Sequence, residues 1–340
     1  MEVTITNDLA STDGERSSAT RVDVAKLAGV STAVVSYVLN DGPRPVASST
    51  RDRVLKAMRD LGYRPNASAR ALSLGRTNAV GLVVPDVSNI YFGSLARELS
   101  DQAFVAGRAL VLGDSSNSID REKAQVESLV RQQIDGLIVV SLDPASTEEV
   151  AGTPLVYLDQ RQETDQRSIV VDNEGGARLA VEHLLWHGHR RIAHLGGISG
   201  MPGSDKRRVG WEYALRAAHI PIELEMLVTT EFSRDAGCIG GLRLLDQAER
   251  PDAIFVASDE QALGLLAAAR ELGIRVPGDL AVISFDGTKD SIYSDPPLTA
   301  IEQPIAEIAR RALCAVITPD RDDDDCRIPV RLVIRSSCGC

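Results

Sequence analysis

From Ala79 onward, short apolar runs alternate with longer segments of helical periodicity, and this alternation restricts the body of the chain to an α/β fold. The runs span 79–84, 109–112, 136–140, 155–158, 169–171, 191–195, 253–256 and 280–285. Helical stretches lie near 93–107, 120–133, 175–187, 205–218, 235–247, 259–272 and 303–317. Uninterrupted apolar strands joined by helical crossovers are the pattern of parallel sheets covered on both faces. There are too many strands for one small sheet, so the sequence predicts two α/β lobes. Ligands of such sheets sit beyond the carboxyl ends of the strands. That rule directs attention to Tyr91 and Phe92, Ser141, Asp159-Gln160-Arg161, the Gly-rich stretch 196–203, Ser258-Asp259 and Asp286.

Residues 20–40 follow a different rule. Thr20 is suited to cap a helix, with Asp23 three residues on as an acidic variant of the capping box. Val24, Leu27 and Ala28 recur at helical spacing, and Ala25 is small where a second helix must cross. Gly29 fits a left-handed turn. Ser31 then caps a second helix whose Val34, Val35 and Val38 can face back on the first. Such a pair is a helix-turn-helix, whose second helix enters the DNA major groove. A third helix runs from 48 or 49 to about 61, with Val54, Leu55, Met58 and Leu61 on one face. The stretch 67–74 is short, small-sided and basic. A plain helical hairpin is the bland alternative for 20–40; the third helix and the charge distribution argue against it.

The net charge of −11 conceals a polarity. Residues 20–76 hold ten Lys and Arg against four acids, a balance of +6, whereas 1–19 carry −3 and 77–340 carry −14. A basic head on an acidic body suits a protein that meets phosphates at one end. The first nineteen residues are polar and acidic without the apolar centre of a secretion signal, and are expected to be a disordered tail. No apolar run is long enough to cross a bilayer, so a cytoplasmic location is expected.

Five cysteines are scattered through the chain, and no Cys or His spacing matches a zinc motif. Cys338-Gly-Cys340 supplies two ligands, short of a structural zinc site, and reads as a reduced tail, with a redox or metal role as the lesser alternative. His183, His187 and His189 gather at one helix end, where they are expected to cap carbonyls or face solvent. No nucleophile elbow, metal spacing or dinucleotide fingerprint is present, so no enzyme, catalytic residue, metal or cofactor is expected. A solute-binding protein of a transporter would fit the body but not the basic head.

Asp23-Val-Ala-Lys-Leu-Ala-Gly-Val-Ser31, Val35-Ser36, Val38-Leu-Asn40, Leu61-Gly-Tyr-Arg-Pro-Asn66, Ala69-Arg-Ala-Leu72, Gly75-Arg-Thr77, Gly81-Leu-Val-Val-Pro-Asp86, Ser258-Asp259 and Phe285-Asp286 occur in that order. With them the chain resembles the LacI/GalR family of transcriptional regulators over 20–340. The resemblance implies an all-α helix-turn-helix head at 20–65 and a hinge helix at 66–76, an ordinary linker being the alternative there. The remainder, 77–340, would be a periplasmic-binding-protein-like body with parallel sheets. One lobe would cover about 77–172 and 303–325, the other about 173–302 and 327–338. It implies a repressor, at least dimeric with a tetramer possible, that binds a double-stranded operator. A small-molecule effector would bind between the lobes; aromatics with planar polar groups suit a sugar or a purine-like ring, and only the leaning of the family favours a sugar.

The resemblance assigns base reading to Thr32, Ala33 and Tyr37. Many members carry Arg or a long polar residue at one of these positions; this chain does not. Thr32 and Tyr37 can donate hydrogen bonds to base edges, and Ala33 can touch a thymine methyl. The alternative for Tyr37 is packing on the third helix. Thr20, Ser31, Ser36 and Asn40 are placed for phosphates. In the resembling family Ala69, Arg70 and Leu72 meet the minor groove, with the leucine wedged between base pairs. For the effector, Tyr91 and Phe92 are adjacent on a helix, so one of them faces outward. Asp286 ends a buried strand, where a carboxylate needs partners. Asp259 is either a ligand contact or a helix cap. Gln160, Arg207 and Phe232 join the set on the resemblance.

Overall fold

The structure, a computed structural model, describes residues 19–40, 45–64, 76–143, 152–159, 167–318 and 327–340. The chain divides into two compact units, Met1–Thr77 and Asn78–Cys340. Ala69, Arg70, Leu72 and Gln160 lie outside the described residues, as does most of the expected N-terminal tail.

The first unit holds α1 (Arg21–Ala28), α2 (Thr32–Asn40) and α3 (Ser48–Asp60). Thr20 Oγ1 accepts from the Asp23 amide at 3.3 Å, and the Asp23 carboxylate accepts from the Thr20 amide at 2.9 Å, which completes the capping box. Gly29 ends α1 at φ 63° and ψ 41°, a left-handed conformation that a side chain with Cβ adopts at a cost. The chain turns through 103° into α2, within the range of a helix-turn-helix. Val24, Ala25, Ala28, Val35, Val38, Val54 and Ala57 form the core. Leu27, read above as part of the inward stripe, is 55% exposed. The reason is steric: Ala25 and Ala28 admit close crossing where a leucine would hold the helices apart.

Among the described residues the second unit contains two sheets. The first has the order β2-β1-β3-β4-β5, with β1 (Ala79–Val84), β2 (Ala109–Asp114), β3 (Gly136–Val139), β4 (Leu155–Leu158) and β5 (Ser168–Ile169), every pair parallel. The second has the order β11-β10-β9-β8-β6-β7, with β6 (Ile192–Gly196), β7 (Leu227–Thr229), β8 (Ala253–Val256), β9 (Ala281–Asp286), β10 (Thr299–Glu302) and β11 (Arg331–Val333). Only the last pair, β10 with β11, is antiparallel. Helices α4 (Ile90–Val105), α5 (Ile119–Arg131), α6 (Asn173–Trp186), α7 (Pro202–Ala217), α8 (Arg234–Leu245), α9 (Asp259–Glu271), α10 (Lys289–Tyr293) and α11 (Ile305–Ile317) complete it.

Helix α11 follows β10 of the second sheet yet buries Ile308, Ala309, Ala312 and Val316 against Val80, Ile138 and Val156 of the first. The chain therefore passes between lobes at Gln303. It passes again near the parallel bridge of Val171 with Ile328. Within the second lobe, α8 and α9 approach so closely that a Cβ at Gly264 would lie 2.0 Å from the Arg234 carbonyl oxygen. Only glycine allows that crossing.

Candidate functional site

The residues that follow the strand ends of both lobes line one cavity of about 660 Å³, its open solvent included. That is within the range of small-molecule sites. Tyr91 and Phe92 enter it from the start of α4, where Asn89 caps the helix by accepting from the Tyr91 amide at 2.9 Å. The two rings meet edge to face at 5.4 Å. Phe232 enters from the loop before α8, and its carbonyl accepts from Asn89 Nδ2 across the lobes at 3.4 Å.

Arg207 is the central polar group and is 6% exposed. It sits one and a half turns into α7, on the face turned to the strand ends. Its Nε donates to Asn173 Oδ1 at 2.8 Å, and Nη1 donates to the Ala257 carbonyl at 2.5 Å. The guanidinium lies 3.8 Å over the Phe285 ring, a favourable cation–π placement. Asp286 Oδ1 is 3.5 Å from Nη1, and Asp159 Oδ2 is 3.9 Å from Nη2.

Asp286 is 4% exposed and stands at φ 106°, a conformation that side chains other than glycine rarely take. It is held there by Gln303 Nε2, which donates to Oδ1 at 2.8 Å, and by the Asp259 amide, 3.4 Å from Oδ2. Burial pushes the Asp286 carboxyl well above the usual range, and Arg207 draws it part of the way back. Burial likewise raises Asp159, against Arg207 and the Asn173 hydrogen bond. Burial raises the Tyr91 phenol too, so it is neutral, and it donates to Gln303 Oε1 at 3.0 Å.

Asp259 is placed differently. It does not line the cavity, and it is not the cap of α9. Ser258 caps that helix, accepting from the Gln261 amide at 3.2 Å. The Asp259 carboxylate accepts from Ser284 Oγ at 2.5 Å, from the Thr288 amide at 2.6 Å and from Thr288 Oγ1 at 2.7 Å. These bonds tie it to Ser284 on β9 and to Thr288 in the loop after it, on either side of Asp286, so it supports Asp286 from behind. Asn89, Asn173 and Gln303 join the site without a sequence signal of their own. Gln303 follows a strand that shows no apolar run, and Asn173 opens a helix in which Asp172 already acts as the cap.

In the head, Thr32 and Ala33 are exposed at the start of α2, and Tyr37 is half-buried one turn on. Ser31 accepts from the Val34 amide at 3.3 Å. Thr20 is turned toward Asp23, to which its hydroxyl donates at 2.6 Å, so a phosphate there would have to displace a carboxylate. Ser36 is half-buried, and Asn40 closes α2.

The C-terminal pair meets two of the three histidines, while His189 Nδ1 lies 3.5 Å from Asp252 Oδ1. The segment after β11 returns to the end of α6 and sets Cys340 Sγ 3.0 Å from His187 Nε2 and 3.4 Å from His183 Nε2. A search by sequence spacing cannot find partners that the fold brings together from more than 150 residues apart.

A basic three-helix reader and a two-lobed sensor on one chain define a ligand-responsive DNA-binding regulator. Residues 21–66 match the family described as bacterial regulatory proteins, lacI family, and residues 181–338 match the periplasmic binding protein-like domain. Catabolite control protein A of Priestia megaterium is 35% identical over 325 residues, which is 93% of this chain and 98% of the relative. The lac repressor dimer bound to operator and the anti-inducer ONPF superposes with a TM-score of 0.84 at 30% identity. That match covers 94% of this chain and 99% of the other. The transcriptional regulator CelR in complex with cellobiose gives 0.69 at 30% identity, with the same coverage. The chain belongs to the LacI family of DNA-binding transcriptional regulators. Among the described residues no single helix is long and apolar enough to cross a membrane.

Proposed function

We propose that this chain is a cytoplasmic, dimeric repressor, without enzymatic activity, whose grip on an operator is set by a neutral, hydroxyl-rich effector held between the lobes, a sugar. The observation that carries this reading is the Arg207 cluster. The guanidinium is matched by two carboxylates, Asp286 and Asp159, so the cavity offers no surplus positive charge for a phosphate. It does offer a planar donor and a planar acceptor side by side, which suit vicinal hydroxyls. Tyr91, Phe92 and Phe232 supply ring faces for the apolar side of a pyranose. The CelR complex with cellobiose supports the same class of ligand in a relative.

On the DNA side, Thr32, Ala33 and Tyr37 would read base edges, Ser31, Ser36 and Asn40 would hold phosphates, and 66–76 would form the hinge. The operator-bound lac repressor dimer supports a two-headed arrangement on paired half-sites. Effector control requires that the ligand favour one arrangement of the lobes over the other.

The test is a calorimetric screen of mono- and disaccharides against the purified chain. Gel shifts with operator fragments selected by the protein follow, with and without each binder. The reading predicts at least one neutral sugar that binds and changes operator affinity. Binding confined to phosphorylated or nucleobase ligands would overturn the effector class. Failure to select any DNA would overturn the regulator.

A further inference from the structure

The C-terminal residues make a second site, at the opposite end of α6 from the effector cavity and different from it in chemistry. His183, in the last turn of α6, and His187, its C-cap, are one turn apart, and the segment after β11 brings Cys338 and Cys340 to them. One ligating atom from each of the four lies within 4.8 Å of all the others. In a tetrahedral zinc centre with two thiolates and two imidazoles, bond lengths of about 2.3 and 2.0 Å place the ligand atoms about 3.3–3.8 Å apart. The His187–Cys340 and His183–Cys340 separations of 3.0 and 3.4 Å are already close to that. Neither cysteine is in a disulfide.

The surroundings suit a cation. His183 stands in the last turn of α6 and His187 caps it, the end where the aligned peptide dipoles favour positive charge. Cys338 is fully buried, while Cys340 is exposed and leaves an entry path. The Thr299 hydroxyl lies 3.1 Å from Cys338 Sγ, positioned to donate to a thiolate. Ser337, the preceding residue, is fixed to β9 in both directions. Its hydroxyl donates to the Val282 carbonyl at 2.6 Å, and its carbonyl accepts from the Val282 amide at 2.8 Å. The sulfur is thus held in place by backbone that the metal does not have to order.

We propose that His183, His187, Cys338 and Cys340 bind one Zn(II) per chain in a tetrahedral site that clamps the C-terminal segment to α6. Two thiolates and two imidazoles at tetrahedral spacing select zinc over the hard cations Mg²⁺ and Ca²⁺, which need oxygen ligands. On binding, each thiol yields its proton to solvent, and the two thiolates balance the charge of the metal. The site reaches the cavity through one rigid element. Helix α6 begins at Asn173, bonded to Arg207 and Asp159, and its histidine end lies about 20 Å further along.

The experiment uses the full-length chain, reduced, stripped with a chelator and titrated with Zn(II) or Co(II) alone. Trp186 reports directly: its ring stacks on His183 with centroids 6.0 Å apart and meets His187 at 4.9 Å, while Trp211, the other tryptophan, is buried. The expected result is one metal per chain and a thiolate-to-cobalt charge-transfer band. Trp186 fluorescence should be quenched by Co(II), and the melting temperature should rise with zinc. Cys340→Ser and His187→Gln alter partly exposed ligands and keep the fold, and each should weaken zinc at least 100-fold. A stoichiometry near zero, cobalt uptake without the thiolate band, or variants that bind like the parent would each overturn the site.

Discussion

Arg207 of the second lobe and Asp159 of the first face each other across the cleft, Nη2 to Oδ2, at 3.9 Å. The gap is wider than a hydrogen bond, whereas Asn173 Nδ2 donates to the other oxygen of the same carboxylate at 2.6 Å. One carboxylate of the first lobe is therefore held by two side chains of the second, one tightly and one loosely. A ligand hydroxyl inserted at the loose contact would bond both partners and change the distance between lobes. On the proposed function, this would be the local step through which an effector prefers one lobe arrangement.

Asp286→Asn tests whether the cluster binds the effector. The amide keeps the shape but turns an N–H toward the Asp259 amide, which now points at Oδ2. It also removes the negative partner of Arg207. Effector affinity measured by calorimetry should fall at least tenfold, about 1.4 kcal/mol. Operator affinity without effector should stay within about twofold by gel shift. An unchanged effector affinity would remove Asp286 from the site.

His194, on β6, supplies a pH signature. Its ring stacks on Phe255 at 5.0 Å, Nδ1 donates to the Phe255 carbonyl at 3.0 Å, and Nε2 has no partner. Burial pushes it down to about 4, so it stays neutral in the folded state. The unfolded chain takes up a proton near pH 6.5, which favours unfolding. His194 thus contributes stability above about pH 6.5 that is lost as pH falls toward 4, roughly 3 kcal/mol in all. Asp286, raised by burial, works in the opposite direction, so the comparison must be between variants. His194→Asn, which keeps a donor near the Nδ1 position, should flatten the denaturant-midpoint profile between pH 6.5 and 4. Equal slopes in both proteins would refute the assignment.

Much of this fold is legible in the sequence because parallel strands buried on both faces are apolar throughout. β1, β4 and β8 are such strands. β7 has a single buried residue at a sheet edge, and β10 carries Thr299 and Glu302 at its ends, so neither shows an apolar run. The strand-end rule reached Tyr91, Phe92 and Asp286, and the family resemblance supplied Arg207 and Phe232. The strand-end rule also pointed to Asp259, whose carboxylate turns inward to Thr288, a contact no spacing reveals. Asn173 and Gln303 escaped because their roles consist of bonds to other side chains.

Thr20→Ala tests the cap of the DNA head. The substitution removes the acceptor for the Asp23 amide and the donor to the Asp23 carboxylate. Such losses cost about 1 kcal/mol. The Asp23 amide should exchange hydrogen several-fold faster, and operator affinity should fall by a similar factor. Faster exchange without loss of affinity would separate the cap from DNA binding.

Val105→Asp tests the dimer. Phe104 and Val105 end α4 at 81% and 88% exposure, and Leu112 on the edge strand β2 of the same lobe is exposed too. Val105 also borders a groove with Leu313 and Ile317 of α11. Exposed apolar clusters of this kind mark interaction surfaces, and the operator-bound lac repressor is a dimer. A carboxylate at the centre of such an interface must be desolvated without a partner, so the dimer constant should weaken at least 100-fold by analytical ultracentrifugation. The fold should be retained, because the side chain supports no core. Operator affinity should fall toward that of a single head, while effector binding, which uses one subunit, should remain. A Val105→Asp protein that sediments as the parent does would place the interface elsewhere.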